Sequence, residues 1–173
     1  MDTNDAIREV IALIQPEVRK NEVKLRIDLD PALPPVQGNR VLLQQVLLNL
    51  LINAIEAMSG MREGPRELWV SSEKVTEVRG ESTEERYEDR ALADAEWTHA
   101  LITVRDSGPG LDPKGLNRPF DAFYTTKPQG LGMGLAISRS IIEAHGGRLW
   151  AKANASRGAV FQFALPIREA NMS

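Results

Sequence analysis

The sequence lacks cysteine and contains only two histidines, and it has no internal repeat and no tract of low complexity. The absence of cysteine excludes disulfides, thiolate metal sites and thiol nucleophiles, and it fits a reducing compartment. No apolar run approaches the roughly 18 residues needed to span a bilayer, and the opening MDTNDAIREV lacks the apolar segment of a signal peptide. We therefore expect a cytoplasmic domain without direct membrane insertion, whether or not its parent protein is membrane-anchored.

The sequence also lacks a large excess of either charge sign, since its net charge is only -3 at pH 7. This slight acidity argues against a general polyanion-binding surface, so no nucleic-acid partner is expected, but it leaves room for a local site that binds one anionic ligand. With 173 residues, of which 42% are hydrophobic, the chain is long enough to bury a core. These values predict a single globular domain over residues 1–173.

The most informative stretch that is present covers residues 40–58, which predict an unusually apolar helix with a narrow polar seam. Nine apolar residues would cover most of such a helix, as in one buried on nearly all sides: Leu42, Leu43, Val46, Leu47, Leu50, Leu51, Ala54, Ile55 and Met58. The polar seam consists of Gln45, Asn49, Asn53 and Glu56, whose spacing places them along one side. An unpaired buried amide costs on the order of 1 to 3 kcal/mol, so Asn49 and Asn53 must face another backbone segment, water or a bound polar ligand.

Periodicity and turn residues predict the remaining elements. Helical spacing indicates an amphipathic helix over residues 4–20 and a second helix that starts near Leu135, and Asn39 is a candidate N-cap for the central helix. Strands are predicted over residues 23–29, 67–75, 98–106, 148–154 and 160–166. Residues 76–97 are dense in both charge signs, which favours a solvated loop insertion over a partner-docking loop.

Two glycine-rich segments are candidates for ligand binding. In residues 106–110, DSGPG, a carboxylate ends a strand and two glycines let the backbone turn with little obstruction, although such a pattern is also a common turn. Residues 130–135, GLGMGL, open a helix whose free N–H groups and positive dipole suit phosphates. No Gly-Lys-Ser/Thr follows and no strand leads straight into the segment, which excludes a Walker loop and a dinucleotide-binding fold.

The order of four motifs resembles the ATP-binding catalytic domain of sensor histidine kinases over nearly the whole chain. Residues 49–54 are similar to the N box, 106–110 to the first glycine box, 120–127 to the F box and 130–135 to the second glycine box. The segments NAIEAM and FYTTK are most similar to those of the nitrogen- and oxygen-regulation type of histidine kinase. The resemblance implies the Bergerat fold, an α/β sandwich in which three helices cover one face of a mixed sheet, with a flexible ATP lid over residues 111–133.

The resemblance also implies a role for each motif residue. Asp106 would accept a hydrogen bond from the adenine amino group and so select adenine over guanine. Asn53 and Asn49 would supply oxygen ligands to Mg²⁺, and Asn49 and Lys127 would be catalytic. Further contacts with ATP are implied for the two glycine boxes and the end of the F box: Gly108, Gly110, Thr126, Lys127, Gly130, Leu131, Gly132, Met133, Gly134 and Leu135.

The implied enzyme transfers the γ-phosphoryl group of ATP to a histidine on a separate dimerisation domain, and from there indirectly to the receiver domain of a response regulator. Neither His99, at the start of a strand, nor His145, at a helix end, fits that acceptor, so the phosphoacceptor domain is expected to lie outside this chain. Two positions depart from the family pattern. Glu56 replaces a basic residue, which leaves more of the phosphate binding to Lys127, and Ala159 replaces a hydroxyl residue, which would weaken a hydrogen bond on the adenine side.

Two alternatives remain open at this point. The first is an ATPase or a serine kinase of the same fold, but ATPases of this fold carry a water-activating glutamate at the position of Asn49, and an amide cannot accept a proton. The second is a non-catalytic nucleotide-binding or docking module, which only the charged segment over residues 76–97 favours.

Overall fold

A computed structural model of the protein describes residues 1–61, 63–76, 98–110, 134–153 and 157–167. Within these residues there are three helices, α1 (Thr3–Lys20), α2 (Arg40–Ser59) and α3 (Gly134–Ala144). The five strands are β1 (Lys24–Leu29), β2 (Glu67–Val75), β3 (His99–Asp106), β4 (Arg148–Ala153) and β5 (Ala159–Pro166). Each predicted helix and strand is present, and the strand ends lie within one residue of their predicted positions.

The strands form one mixed sheet in the order β1-β2-β3-β5-β4, so that β1 and β4 are its two edges within the described residues. β1 and β2 are parallel, whereas the other neighbouring pairs are antiparallel. Parallel neighbours need a crossover connection, and α2 lies in the connection between β1 and β2. α2 contacts both α1 and α3, and it also contacts β3 in the middle of the sheet. The central helix therefore lies where the helical layer meets the strand that ends in Asp106.

α2 begins at the predicted cap, since the Asn39 side-chain oxygen accepts from the backbone N–H of Leu42 at 3.1 Å. Eight residues of the helix are buried in the core: Leu43, Val46, Leu47, Leu50, Leu51, Ala54, Ile55 and Met58. The expectation of burial on nearly all sides is wrong, because Leu42 is 38% exposed and Val41 is 72% exposed. With the sheet beneath α2 and helices beside it, the outer side of α2 remains open to solvent.

α2 is an exception to the expectation that no apolar segment is long enough to cross a membrane. By length and apolar composition alone, this 20-residue helix meets that criterion. Its eight buried residues pack in the core of the protein itself. Burial against the sheet and the other helices accounts for the composition, as in the central helix of a globular domain.

His145 joins the end of α3 to the start of α2. The backbone N–H of Asn39 donates to Nε2 at 3.0 Å, and Nδ1 lies 2.7 Å from the carbonyl oxygen of Ile141. Because a backbone N–H only donates and a carbonyl only accepts, this arrangement requires the tautomer with its proton on Nδ1. A Cβ at Gly38 would lie 2.8 Å from Cδ2 of the ring, so only glycine allows this approach without a shift. His145 thus has a structural role at the helix end where the sequence placed it.

Leu50→Ala should lower the free energy of unfolding by about 2 to 5 kcal/mol, because Leu50 is fully buried and its truncation leaves a cavity. The matched control is Leu13→Ala, which makes the same chemical change at a position that is 70% exposed. Urea denaturation of both variants measures the difference. Equal losses at the two positions would contradict the placement of α2 at the centre of the core.

Candidate functional site

Asp106, the last residue of β3, is a buried carboxylate held by backbone donors. It is 3% exposed, and its Oδ1 accepts from the N–H of Gly108 at 2.8 Å and from the N–H of Ala159 at 3.3 Å. Burial raises the pKa of Asp106 above its ordinary value, while the hydrogen bonds from Gly108 and Ala159 act in the opposite direction. The turn after β3 and the start of β5 thus fix the position of this carboxyl group.

Three glycines let the backbone close around Asp106. Gly158 has φ +97°, and a Cβ there would overlap the carbonyl oxygen of Asp106. Gly110 has φ +89°, and a Cβ on it would lie 3.1 Å from the carbonyl oxygen of Gly158. A Cβ at Gly108 would lie 3.0 Å from Oδ1 of Asp106 and 3.4 Å from Cγ of Met58 on α2. The predicted Gly108 and Gly110 are brought together here with Gly158, which no local sequence signal marks as a site residue.

Ser107 fixes this turn against the connection between α2 and β2. Its buried hydroxyl donates to the carbonyl oxygen of Pro65 at 2.7 Å and accepts from the backbone N–H of Glu67 at 2.8 Å. The backbone N–H of Ser107 donates in turn to the carbonyl oxygen of Glu67 at 3.1 Å. These three hydrogen bonds set the direction in which the chain leaves β3.

The start of α3 lies against the middle of the polar seam. The Nδ2 of Asn49 donates to Oγ of Ser138 at 3.1 Å and approaches the carbonyl oxygen of Gly134 at 3.4 Å. Asn53, one turn further along α2, is half-buried, and Glu56 is exposed. Gln45 is exposed as well, so the amides in the middle of the seam are partly buried while both ends of the seam reach solvent.

α2 therefore connects the two glycine segments. Asn49 contacts Gly134, and Met58 borders Gly108, nine residues further along the helix. Nine residues at 1.5 Å each span roughly 13 Å, which is comparable to an extended nucleoside triphosphate. One end of this span has the acceptor oxygens of Asp106, the other has the N-terminus of α3 with its positive dipole, and amide side chains lie between them.

The predicted site residues fall into two groups. The first group lies along the span just described: Asn49, Asn53, Asp106, Gly108, Gly110 and Gly134. Leu135 also belongs to this group and packs against the core from the first turn of α3. The others lie outside the described residues, so their contacts remain predictions: Thr126, Lys127, Gly130, Leu131, Gly132 and Met133. The same is true of the lid over residues 111–133 and of most of the charged insertion. The site residues missed from the sequence are Gly158 and Ser138, whose partners lie far away along the chain.

Comparison with known proteins shows the family. The histidine kinase-, DNA gyrase B-, and HSP90-like ATPase family matches residues 38–169. The chain belongs to this family. It is 41% identical over 165 residues to the sensor protein FixL of Bradyrhizobium diazoefficiens, covering 95% of this chain and 28% of FixL. It is 37% identical to the sensor protein TdiS of Thauera aromatica, covering 95% of this chain and 26% of TdiS. The chain thus spans about a quarter of the length of these curated relatives.

Solved structures narrow the assignment to histidine kinase catalytic domains. The catalytic domain of histidine kinase ThkA has a TM-score of 0.73 and 30% identity, with 96% of this chain and 95% of that chain covered. A structure of ThkA in complex with the response regulator protein TrrA has a TM-score of 0.72 and 29% identity, with coverage of 97% and 41%. The predicted fold is confirmed, since the mixed five-stranded sheet with three helices is that of a histidine kinase catalytic domain.

Gly158→Ala should destabilise this kinase domain by roughly 1 to 3 kcal/mol, because the backbone at Gly158 has positive φ and a Cβ there overlaps Asp106. Gly60→Ala is the matched control, since a Cβ at Gly60 meets nothing within 4 Å. Thermal and urea denaturation should show a loss for the first variant and none for the second. If both variants are as stable as the wild type, the close approach of Gly158 to Asp106 is wrong.

Asp106→Asn should change how stability depends on pH. The pKa of Asp106 is raised above 3.8 by burial, so the folded protein binds more protons than the unfolded one between 3.8 and the raised value. The contribution of this carboxyl group to stability therefore falls as pH rises through that window and stays low at neutral pH. An asparagine retains an acceptor oxygen for Gly108 and Ala159 without the buried charge.

As the pH rises from 4 to 7, the Asp106→Asn variant should therefore become more stable relative to the wild type, as measured by the free energy of unfolding. Urea denaturation at constant ionic strength measures this difference, and Asp28→Asn on the exposed side of β1 controls for the loss of one negative charge. A difference that decreases with pH would contradict the direction of the pKa shift.

Proposed function

We propose that this chain binds Mg-ATP along α2 and supplies the γ-phosphoryl group to a histidine on a separate dimerisation domain. The observation that carries the proposal is the placement of Asp106 and of the Asn49–Gly134 contact at opposite ends of one span of α2. Its length and its two chemically different ends fit an adenine base at one end and phosphates at the other.

Adenine would bind at Asp106. The buried carboxylate accepts from an exocyclic amino group, which adenine presents and which guanine replaces with a carbonyl oxygen at the corresponding position. The rigid backbone around Asp106 keeps the acceptor in place before the base arrives. Ala159 has no hydroxyl to add, but its backbone N–H contributes by orienting the carboxylate at 3.3 Å.

Mg²⁺ would bind at the amides in the middle of the polar seam. Among the described residues there is no group of three or more His, Cys, Asp or Glu side chains arranged to hold a metal ion. The resemblance to the family instead assigns the ion to the side-chain oxygens of Asn53 and Asn49 together with the phosphates and water, which suits a hard cation that prefers oxygen. The bound ion would neutralise charge on the phosphates, with further contacts from Thr126, Lys127 and the glycines of residues 130–135.

The phosphoacceptor would come from another domain of a longer parent protein. His145 is occupied in joining α3 to α2, and His99 is buried at the start of β3, with Nδ1 2.9 Å from Oγ1 of Thr98. The relatives are about four times as long as the matched segment, which leaves room for a dimerisation domain. We propose that a response regulator is the indirect partner, as the complex of ThkA with TrrA suggests by analogy. Because the substrate is ATP, the domain would act in the cytoplasm.

Efficient ATP hydrolysis is not expected. Asn49 stands where related ATPases carry a glutamate, and its amide nitrogen is engaged with Ser138 and Gly134 on α3. An amide in that position cannot accept a proton from an attacking water molecule. This favours phosphoryl transfer to an added acceptor over an ATPase.

ATP with Mg²⁺ should raise the melting temperature of the wild-type domain, because a ligand that binds only the folded state stabilises it by about 2.7 kcal/mol at 100 times its Kd. GTP should have a much smaller effect. Asp106→Asn should abolish the ATP effect, whereas the control Asp28→Asn should retain it. Differential scanning fluorimetry and isothermal titration calorimetry measure both.

The same preparation tests phosphoryl transfer to a histidine. With γ-labelled ATP the isolated domain should acquire no phosphohistidine, and labelling should appear on a dimerisation hairpin from the parent kinase when that hairpin is added. Absence of any nucleotide-dependent stabilisation would refute ATP binding, and phosphohistidine on the isolated chain would refute a separate acceptor.

A further inference from the structure

Ser138, on the first turns of α3, forms a hydrogen-bonded triangle with Asn49 and Gly134. Ser138 is completely buried, and its hydroxyl donates to the carbonyl oxygen of Gly134 at 2.8 Å. The same oxygen atom of Ser138 accepts from Nδ2 of Asn49 at 3.1 Å, and that nitrogen also lies 3.4 Å from the carbonyl oxygen of Gly134. The three groups therefore share one small contact between α2 and α3.

This triangle determines which end of the Asn49 carboxamide faces α3. A carbonyl oxygen only accepts, and a serine hydroxyl has a single proton, which Ser138 gives to Gly134. Both atoms that α3 presents to Asn49 are thus acceptors, so the NH₂ group must face them. In the flipped orientation the Asn49 oxygen would face the carbonyl of Gly134 without a proton between them. The side-chain oxygen of Asn49 is consequently directed away from α3.

We propose that Ser138 is a positioning residue for the magnesium-nucleotide site, which acts by fixing the carboxamide of Asn49 with its oxygen available to the ion. The inference rests on the proposed function. A hard cation binds the oxygen of an amide and is repelled by the N–H end, although the two ends have nearly the same shape. The orientation of this side chain before binding therefore affects the affinity for the ion but not the affinity for the adenine base.

The effect has an expected size. A neutral hydrogen bond changes the ratio of two orientations by about 2- to 10-fold. Asn49 would retain only the longer contact with Gly134 if the hydroxyl of Ser138 were removed. The gain in nucleotide affinity on adding Mg²⁺ should then fall by about the same factor, while nucleotide binding in EDTA should change little.

α3 contains a matched control for this experiment. Ser140 makes the same type of bond as Ser138, from its hydroxyl to the carbonyl oxygen four residues earlier, at 3.1 Å from Ala136. It lies on the exposed side of the helix, away from Asn49. Ser140→Ala thus reproduces the loss of an intrahelical serine hydrogen bond without affecting the triangle.

The experiment is isothermal titration calorimetry of a non-hydrolysable ATP analogue, with EDTA and with excess Mg²⁺, for wild type, Ser138→Ala and Ser140→Ala. The measured quantity is the Kd in EDTA divided by the Kd in Mg²⁺, which gives the gain in affinity on adding the ion. We expect Ser138→Ala to reduce this ratio by about 2- to 10-fold and Ser140→Ala to leave it unchanged. In an Asn49→Ala background, Ser138→Ala should have no further effect on the ratio.

Two results would overturn the inference: an unchanged ratio in Ser138→Ala, including one that results from equal losses of affinity in EDTA and in Mg²⁺, or a reduction that persists without Asn49. A wild-type domain that binds no nucleotide would instead refute the proposed function. If Ser138→Ala does not fold, NMR of the wild type decides the question. The side-chain amide protons of Asn49 should exchange slowly with solvent before nucleotide is added, and rapid exchange would contradict a fixed orientation.

Discussion

A buried carboxylate at the end of a strand is stable only if fixed donors approach it closely, and the neighbourhood of Asp106 is built around that requirement. The backbone N–H of Gly108 donates from the turn that follows the strand, and that of Ala159 donates from the start of β5. β5 can deliver its donor because it pairs with β3 and because Gly158 has no side chain that would collide with Asp106. Sheet order, hairpin and turn are therefore linked through one side chain.

The second constraint is the attachment of α3 to α2 at both of its ends. His145 joins the end of α3 to Asn39, and the contact among Gly134, Ser138 and Asn49 joins its start to the polar seam. Two attachments about three turns apart fix both the position and the rotation of α3. The N-terminus of α3 is thus held in a defined orientation next to the amides, which is the pre-organisation that electrostatic recognition of phosphates requires.

Much of this arrangement could be predicted from local sequence signals. Periodicity located the helices and strands, Asn39 identified the start of α2, and Asp106 followed by two glycines marked the turn. The resemblance of four motifs to a known family assembled these parts into the right fold. Local signals did not reveal that Leu42 is exposed, since an apolar residue in a helix pattern does not report how many elements surround that side of the helix.

The roles of Ser138 and Gly158 could not be predicted because they depend on contacts between distant parts of the chain. Asn49 and Ser138 are 89 residues apart, and Asp106 and Ala159 are 53 apart. A serine in a helix and a glycine in a hairpin are both common, and each has an ordinary local explanation. Only the position of the partner shows that these two residues border the candidate site.

The two edges of the sheet have a consequence for the behaviour of neighbouring molecules. β1 carries Lys24, Arg26 and Asp28 at alternate positions, and β4 at the opposite edge carries Arg148 and Lys152. Charged side chains on an edge strand disfavour the addition of a strand from another chain, since desolvating them opposes the new backbone hydrogen bonds. Two copies crowded together at high local concentration would accordingly not merge into a continuous intermolecular sheet through these edges.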